Sequence, residues 1–232
     1  MIEKDELKKR LFDIQEKINK AALKANRDPS EINMVAITKN VDIEVIRNIQ
    51  DLGISNFGEN RIQELIRKSG EIKSPVTWHM VGHLQTNKVK KGINYFDYMH
   101  SLDSLHLAET LEEELAVLNK TINVLIQVNV SGEETKYGIK PQELKAFYGQ
   151  VRKYSHLKVI GLMTMAPEVK NPQGVRPVFK GLKELINNLR DSIDNNEKEN
   201  FKHLSMGMSN DFEVAIEEGA TFVRIGSALF KE

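Results

Sequence analysis

The chain has 232 residues, a length that single α/β barrels routinely reach, so one domain over 1–232 is expected. Lys+Arg and Asp+Glu number 33 each, for a formal net charge of 0, which argues against a general nucleic-acid or anionic-membrane binder. Cysteine is absent, which excludes disulfides, thiolate metal sites and a cysteine nucleophile or base. The N-terminus is charged from Glu3 onward, and no apolar run approaches signal-peptide length or the roughly 20 residues of a membrane span. A cytoplasmic protein that does not meet the membrane is expected.

In chain order, Leu7, Leu11, Ile14, Ile18 and Ala21 recur at alternating four- and three-residue spacing and predict an amphipathic first helix, ending near Pro29. Met34–Ile37 follows as a short buried strand, then a helix near Asp42–Ile49. Further strands are predicted at Ile54–Phe57, Thr77–Val81, Tyr98–Ser101, Ile122–Val130, Lys158–Met163, Lys202–Met206 and Thr221–Ile225, most of them separated by helical patterns. Eight strands joined by crossover helices predict a closed (β/α)8 barrel of the TIM type, with the extra N-terminal helix capping or flanking it. An open doubly wound sheet would carry a Gly-rich turn after its first strand. Here that strand runs into Thr38-Lys39-Asn40.

Barrel enzymes and binders place function at the C-terminal ends of their strands, which directs attention to three junctions. Lys39 follows the first strand and is either a solvated strand-end lysine or a Schiff-base nucleophile at the mouth. The segment His203-Leu204-Ser205-Met206-Gly207-Met208-Ser209 and the segment Arg224-Ile225-Gly226-Ser227 occupy the position where such barrels bind phosphate. Ser205, Gly226 and Ser227 are the phosphate-facing candidates, against a reading as ordinary glycine turns with a serine cap. Arg224 alternates with Val223 and Ile225 and should face inward, toward either a structural carboxylate or a ligand. His79 and His83 are four apart, but on a strand that is about 13 Å, too far to share a metal. Glu59 reads as a first-turn acid, Asn60 can point into the mouth, and Lys88, Lys90 and Lys91 read as solvated.

Six blocks carry a resemblance: Val35-Ala36-Ile37-Thr38-Lys39, Phe57 to Glu64, Trp78 to Lys88, Gly161-Leu162-Met163, Leu204 to Ser209, and Val223-Arg224-Ile225-Gly226. In this order they resemble the pyridoxal phosphate homeostasis protein family, single-domain barrels related in fold to alanine racemase. The resemblance spans nearly the whole chain. It implies pyridoxal 5′-phosphate (PLP) as ligand, Lys39 as the Schiff-base lysine, and Ser205, Gly226 and Ser227 around the phosphate. It further implies Arg224 toward the pyridine nitrogen and Asn60 near the ring. Where the family usually has threonine this chain has Ser227, and the proline that often follows the lysine is replaced by Asn40-Val41-Asp42.

The resemblance implies a carrier that limits free PLP and supplies it to PLP-dependent apo-enzymes. An arginine at the pyridine nitrogen disfavours protonating it, so the ring is a weak electron sink. A racemase is the alternative, but it needs a second base opposite Lys39, for which Tyr137 is the least poor candidate, and the chain length leaves no room for the second domain of the racemases. A phosphosugar isomerase or lyase with Lys39 attacking a carbonyl is the third reading. A monomer is expected.

Overall fold

The computed structural model of the chain describes residues 2–72 and 75–231. The elements run α1 (Lys4–Lys24), β1 (Asn33–Ile37), α2 (Ile43–Asp51), β2 (Asn56–Glu59), α3 (Ile62–Glu71), β3 (Thr77–Met80), α4 (Thr86–Gly92), β4 (Tyr98–Leu102) and α5 (Leu105–Leu118). They continue β5 (Ile122–Gln127), α6 (Leu144–Val151), β6 (Leu157–Met163), α7 (Arg176–Asp191), α8 (Asn195–Asn200), β7 (His203–Met208), α9 (Phe212–Glu217), β8 (Phe222–Ile225) and α10 (Ser227–Phe230). All strands are parallel and the sheet closes, β8 pairing with β1 through Val35 opposite Arg224 and Ala36 opposite Ile225. The predicted barrel is the observed fold.

Alternation along each strand separates two cores. One cluster, Val35, Ile37, Leu125, Ile160, Met163 and Phe222, fills the barrel interior. The larger one lies between strands and helices and includes Ala36, Phe57, Trp78, Met80, Leu204 and Val223. Helix α1 buries Leu7, Ile14, Ile18, Ala21 and Ala22, the face its spacing dictates. It packs on α2, α9 and α10. A terminal α10 of four residues is too short to cover the seam between β8 and β1, and α1 flanks the barrel there instead. Arg10 fastens the arrangement by donating from Nη1 to the carbonyl of Lys231 (2.6 Å), while Arg27 donates to those of Ile216 and Ala220.

Several strand ends differ from expectation, β5 stopping at Gln127 instead of Val130, and two of the differences matter for the site. Strand β2 extends through Glu59, making that residue a buried strand terminus rather than the first acid of a helix. Strand β7 runs to Met208, two residues beyond the predicted end, with an irregular register against β8 between Ser205 and Met208. Gly207 permits this at φ +90, where a Cβ would stand 2.5 Å from that of Ala215 and 2.9 Å from Phe212 Cα.

Candidate functional site

The C-terminal ends of the strands surround an open pocket of about 1030 Å³. Of the residues singled out in the sequence, Lys39, Asn60, Arg224, Gly226 and Ser227 all line it. Lys39 is exposed in this cleft. It sits in a turn closed by the Val41 N–H to the Thr38 carbonyl, with Asn40 at φ +58, a left-handed conformation that asparagine tolerates and proline cannot adopt. Ile37 pairs with Gly58 across β1 and β2, so the continuing register brings Lys39 level with Asn60. Gly82 packs directly against the Asn60 carbonyl, an approach that leaves no space for a Cβ.

Beneath Lys39 lies a buried ion pair that the sequence did not announce. Lys68, on α3, donates from Nζ to Glu59 Oε1 at 2.7 Å and to the Thr38 carbonyl at 2.6 Å, and Thr38 Oγ1 donates to the same Oε1 at 2.6 Å. Lys68, Glu59 and Thr38 are fully buried, and Glu59 Oε2 has no hydrogen-bond partner. Removing two charges from water costs several kcal/mol per ion, which such a pair offsets only through added hydrogen bonds. Here those bonds grip the backbone of the residue preceding Lys39.

The other side of the pocket is built from the loops after β7 and β8. Ser209 Oγ accepts from the N–H groups of Gly226 (3.2 Å) and Ala228 (3.1 Å), linking the two loops. Asp211 accepts from the Met208 N–H at 2.6 Å and secures the β7 turn. Ser227 is exposed toward the pocket at the head of α10. Ser205, expected beside a phosphate, is completely buried and does not line the pocket. The continuation of β7 past Gly207 carries the pocket-facing serine to Ser209.

Arg224 is inward, as its alternation requires, and 5% exposed. Nη1 donates to Ser205 Oγ at 2.6 Å and Nη2 to the Thr164 carbonyl at 3.0 Å; Nε bonds no protein atom among the described residues. No carboxylate forms an ion pair with it among the described residues, so the structural salt bridge weighed from the sequence is not formed. Burial lowers its pKa to about 10, opposed by the charge of Asp211. The guanidinium therefore remains protonated near neutrality.

Below Arg224 the barrel interior holds a histidine pair. His100 Nδ1 lies 2.8 Å from Ser205 Oγ, His100 Nε2 lies 2.9 Å from His79 Nδ1, and His79 Nε2 lies 3.1 Å from Asn56 Oδ1. Burial brings His79 down to about 3 and, with the neighbouring cations and imidazoles, holds His100 well below the usual range. Phe222 packs against both rings. His83 is elsewhere, stacked on Tyr137 at the rim with ring centroids 4.4 Å apart and Nδ1 3.3 Å from Asp103. No cluster of three metal-ligating side chains occurs among the described residues. Lys88 lines the pocket, while Lys90 and Lys91 are exposed.

A closed barrel with a lysine after β1, an unpaired guanidinium on β8 and linked loops after β7 and β8 belongs to the class described as alanine racemase, N-terminal domain, whose family pattern matches residues 13–232. Within that class the chain belongs to the pyridoxal phosphate homeostasis protein family. It is 44% identical to the pyridoxal phosphate homeostasis protein of Aquifex aeolicus (strain VF5) over 224 residues, covering 96% of each chain. Against the protein of that name from Pseudomonas aeruginosa it is 37% identical, covering 92% of this chain and 90% of the other. PipY of Synechococcus elongatus PCC7942, solved with PLP bound, superposes with a TM-score of 0.83 at 30% identity, covering 97% of this chain and 99% of that one. Alanine racemase of Clostridium difficile 630 shares the fold, with a TM-score of 0.76 at 15% identity, and this chain covers 57% of its length.

Proposed function

We propose that this protein is a PLP carrier acting in intracellular vitamin B6 homeostasis, holding the cofactor reversibly on Lys39 and yielding it to PLP-dependent apo-enzymes. The observation that carries the reading is the pairing of an exposed pocket lysine with a buried arginine that has no carboxylate partner. The residues fit the ligand. A buried, protonated guanidinium calls for an acceptor, and with the Gly226 and Ala228 N–H groups held by Ser209 Oγ, the hydroxyls of Ser209 and Ser227, beside Gly226 in the pocket lining, are the donors the linked loops offer to a phosphate.

When bound, PLP supplies an electrophilic aldehyde and a conjugated ring. Lys39 would hold the group through its amine, which could add to that aldehyde with loss of one water and be released again by hydrolysis or by exchange with another amine. Ser209, Gly226 and Ser227 would hold the phosphate, and Asn60 would face the ring. Arg224 would donate to the ring nitrogen and, being charged already, would give it no incentive to take up a proton. Lys39 then has little help in stabilising a carbanion, and the pocket holds its ligand without turning over amino acids. Tyr137 stands at the exposed rim, stacked on His83, and among the described residues its hydroxyl has no partner that would make it a base.

The loaded protein mixed with a PLP-dependent apo-enzyme should restore that enzyme's activity. In deuterated buffer with a panel of amino acids, the loaded protein should exchange no Cα hydrogen above background. Fast exchange would make the protein a racemase-type enzyme instead. No described helix is long and apolar enough to cross a membrane, consistent with a cytoplasmic carrier, and the monomer expected from the sequence belongs to the same proposal.

A further inference from the structure

Five side chains from five strands or strand ends make one continuous line through the barrel: Arg224, Ser205, His100, His79 and Asn56, at successive separations of 2.6, 2.8, 2.9 and 3.1 Å. Its direction follows from the two ends. A guanidinium has no acceptor, so Arg224 Nη1 must donate to Ser205 Oγ. Asn56 presents Oδ1, which only accepts, so His79 Nε2 carries a proton. A neutral His79 then accepts at Nδ1, so His100 carries its proton on Nε2 and accepts at Nδ1 from the Ser205 hydroxyl. Each of the three inner members, Ser205, His100 and His79, donates once and accepts once along the line. In the reverse sense Ser205 would accept from both neighbours, leaving its own proton without a buried acceptor, a cost of roughly 1–3 kcal/mol.

We propose that Ser205, His100 and His79 are positioning residues that hold Arg224 through a one-way chain of neutral hydrogen bonds, orienting the guanidinium without cancelling its charge. A carboxylate at Ser205 would also orient Arg224, but it would neutralise the charge the pocket ligand needs. Two imidazoles relay an acceptor from Asn56, at the opposite end of the barrel, to Arg224 while staying uncharged. Their surroundings agree with this. His79 stacks on Tyr98, both rings meet Phe222, and the charged or titratable groups near the line are Arg224, Asp211, Tyr98 and His203. Among the described residues no carboxylate pairs with either ring. The assignment of roles toward the ring nitrogen rests on the proposed PLP site; the chain itself does not.

The test has two arms. Nitrogen-15 NMR of the ligand-free, histidine-labelled protein between pH 5.5 and 8 should show His79 and His100 neutral, both protonated on Nε2. A proton on Nδ1 of either ring, or titration of either within that range, would overturn the proposal whatever the protein binds. In the second arm PLP is titrated into folded Ser205→Ala and His100→Phe variants. Both should weaken binding by about tenfold, the loss of one hydrogen bond to a charged group, and shift the visible band of bound PLP in the same direction. Unchanged affinity and band in both variants would also overturn it. Failure of the parent protein to bind PLP at all would instead defeat the carrier reading and leave the NMR arm to decide the chain.

Discussion

Lys68 Nζ donates a 2.6 Å hydrogen bond to the carbonyl oxygen of Thr38, so a lysine on the third helix fixes the backbone one residue before the pocket lysine, Lys39. The same ammonium neutralises Glu59 at 2.7 Å, and neither side chain is exposed. Removing one partner leaves the other buried and unpaired, at a cost of about 3–5 kcal/mol. Lys68→Met should lower unfolding free energy by that amount in urea titrations. A double variant, Lys68→Met with Glu59→Leu, should recover most of it, since it leaves no buried charge. Equal destabilisation in single and double variants would show that packing, rather than the charge, is at stake.

Ser209 and Ser205 differ in position, the first lining the pocket and the second buried outside it. Ser209 Oγ already accepts two N–H bonds, which leaves its own proton free for the pocket. Ser209→Ala should weaken binding of inorganic phosphate to the ligand-free protein by about tenfold, the worth of one charge-assisted hydrogen bond. Ser205→Ala should leave phosphate binding unchanged, because Ser205 is buried outside the pocket. Isothermal calorimetry distinguishes the two, and the opposite ranking would return the phosphate to Ser205.

Stability should fall on acidification through the buried histidines. Burial holds His79 at about 3 and depresses His100 as well, whereas both take up a proton near pH 6.5 once unfolded. The folded state thus binds fewer protons. The stability gained by keeping these rings neutral is complete above pH 6.5 and is lost progressively below it. For His79 the slope is about 1.4 kcal/mol per pH unit, so lowering the pH from 6.5 to 5 removes roughly 2 kcal/mol. The difference in urea-unfolding free energy between pH 6.5 and 5 should shrink by about that amount in His79→Asn.

Gly207 is held at φ +90 with Ala215 and Phe212 against the place where a Cβ would stand. Gly207→Ala should cost at least about 1–3 kcal/mol in backbone strain, and more with the clash. It should also disturb the loop that carries Ser209. Thermal melts and phosphate binding should therefore decline together in this variant. Gly149 has open space around it and an ordinary backbone, and Gly149→Ala should do neither.

The barrel was legible because its signals are periodic: alternation in the strands, and the four- and three-residue spacing of Leu7, Ile14, Ile18 and Ala21 in α1. That Lys39, Asn60, Arg224, Gly226 and Ser227 line the pocket was legible because each lies close to the C-terminal end of a strand. Ser205 was expected at the pocket and is buried outside its lining, because an irregularity at Gly207 moves the strand end; a glycine inside a strand pattern was the available warning. The Lys68–Glu59 pair lay beyond reach, since nothing local distinguishes a buried helical lysine from a solvated one. The histidine line left a fainter trace: His79 and Ser205 alternate with apolar neighbours, and His100 follows Met99, on strands whose interior must be filled. Reading that parity across β3, β4 and β7 would have brought them together.

The most direct test of the carrier account is borohydride reduction of the PLP-loaded protein followed by peptide mapping. The expected result is one stable pyridoxyl adduct, on Lys39, with loss of the visible band and no covalent PLP in Lys39→Ala under the same conditions. An adduct mainly on another lysine, or equal labelling of the alanine variant, would contradict it.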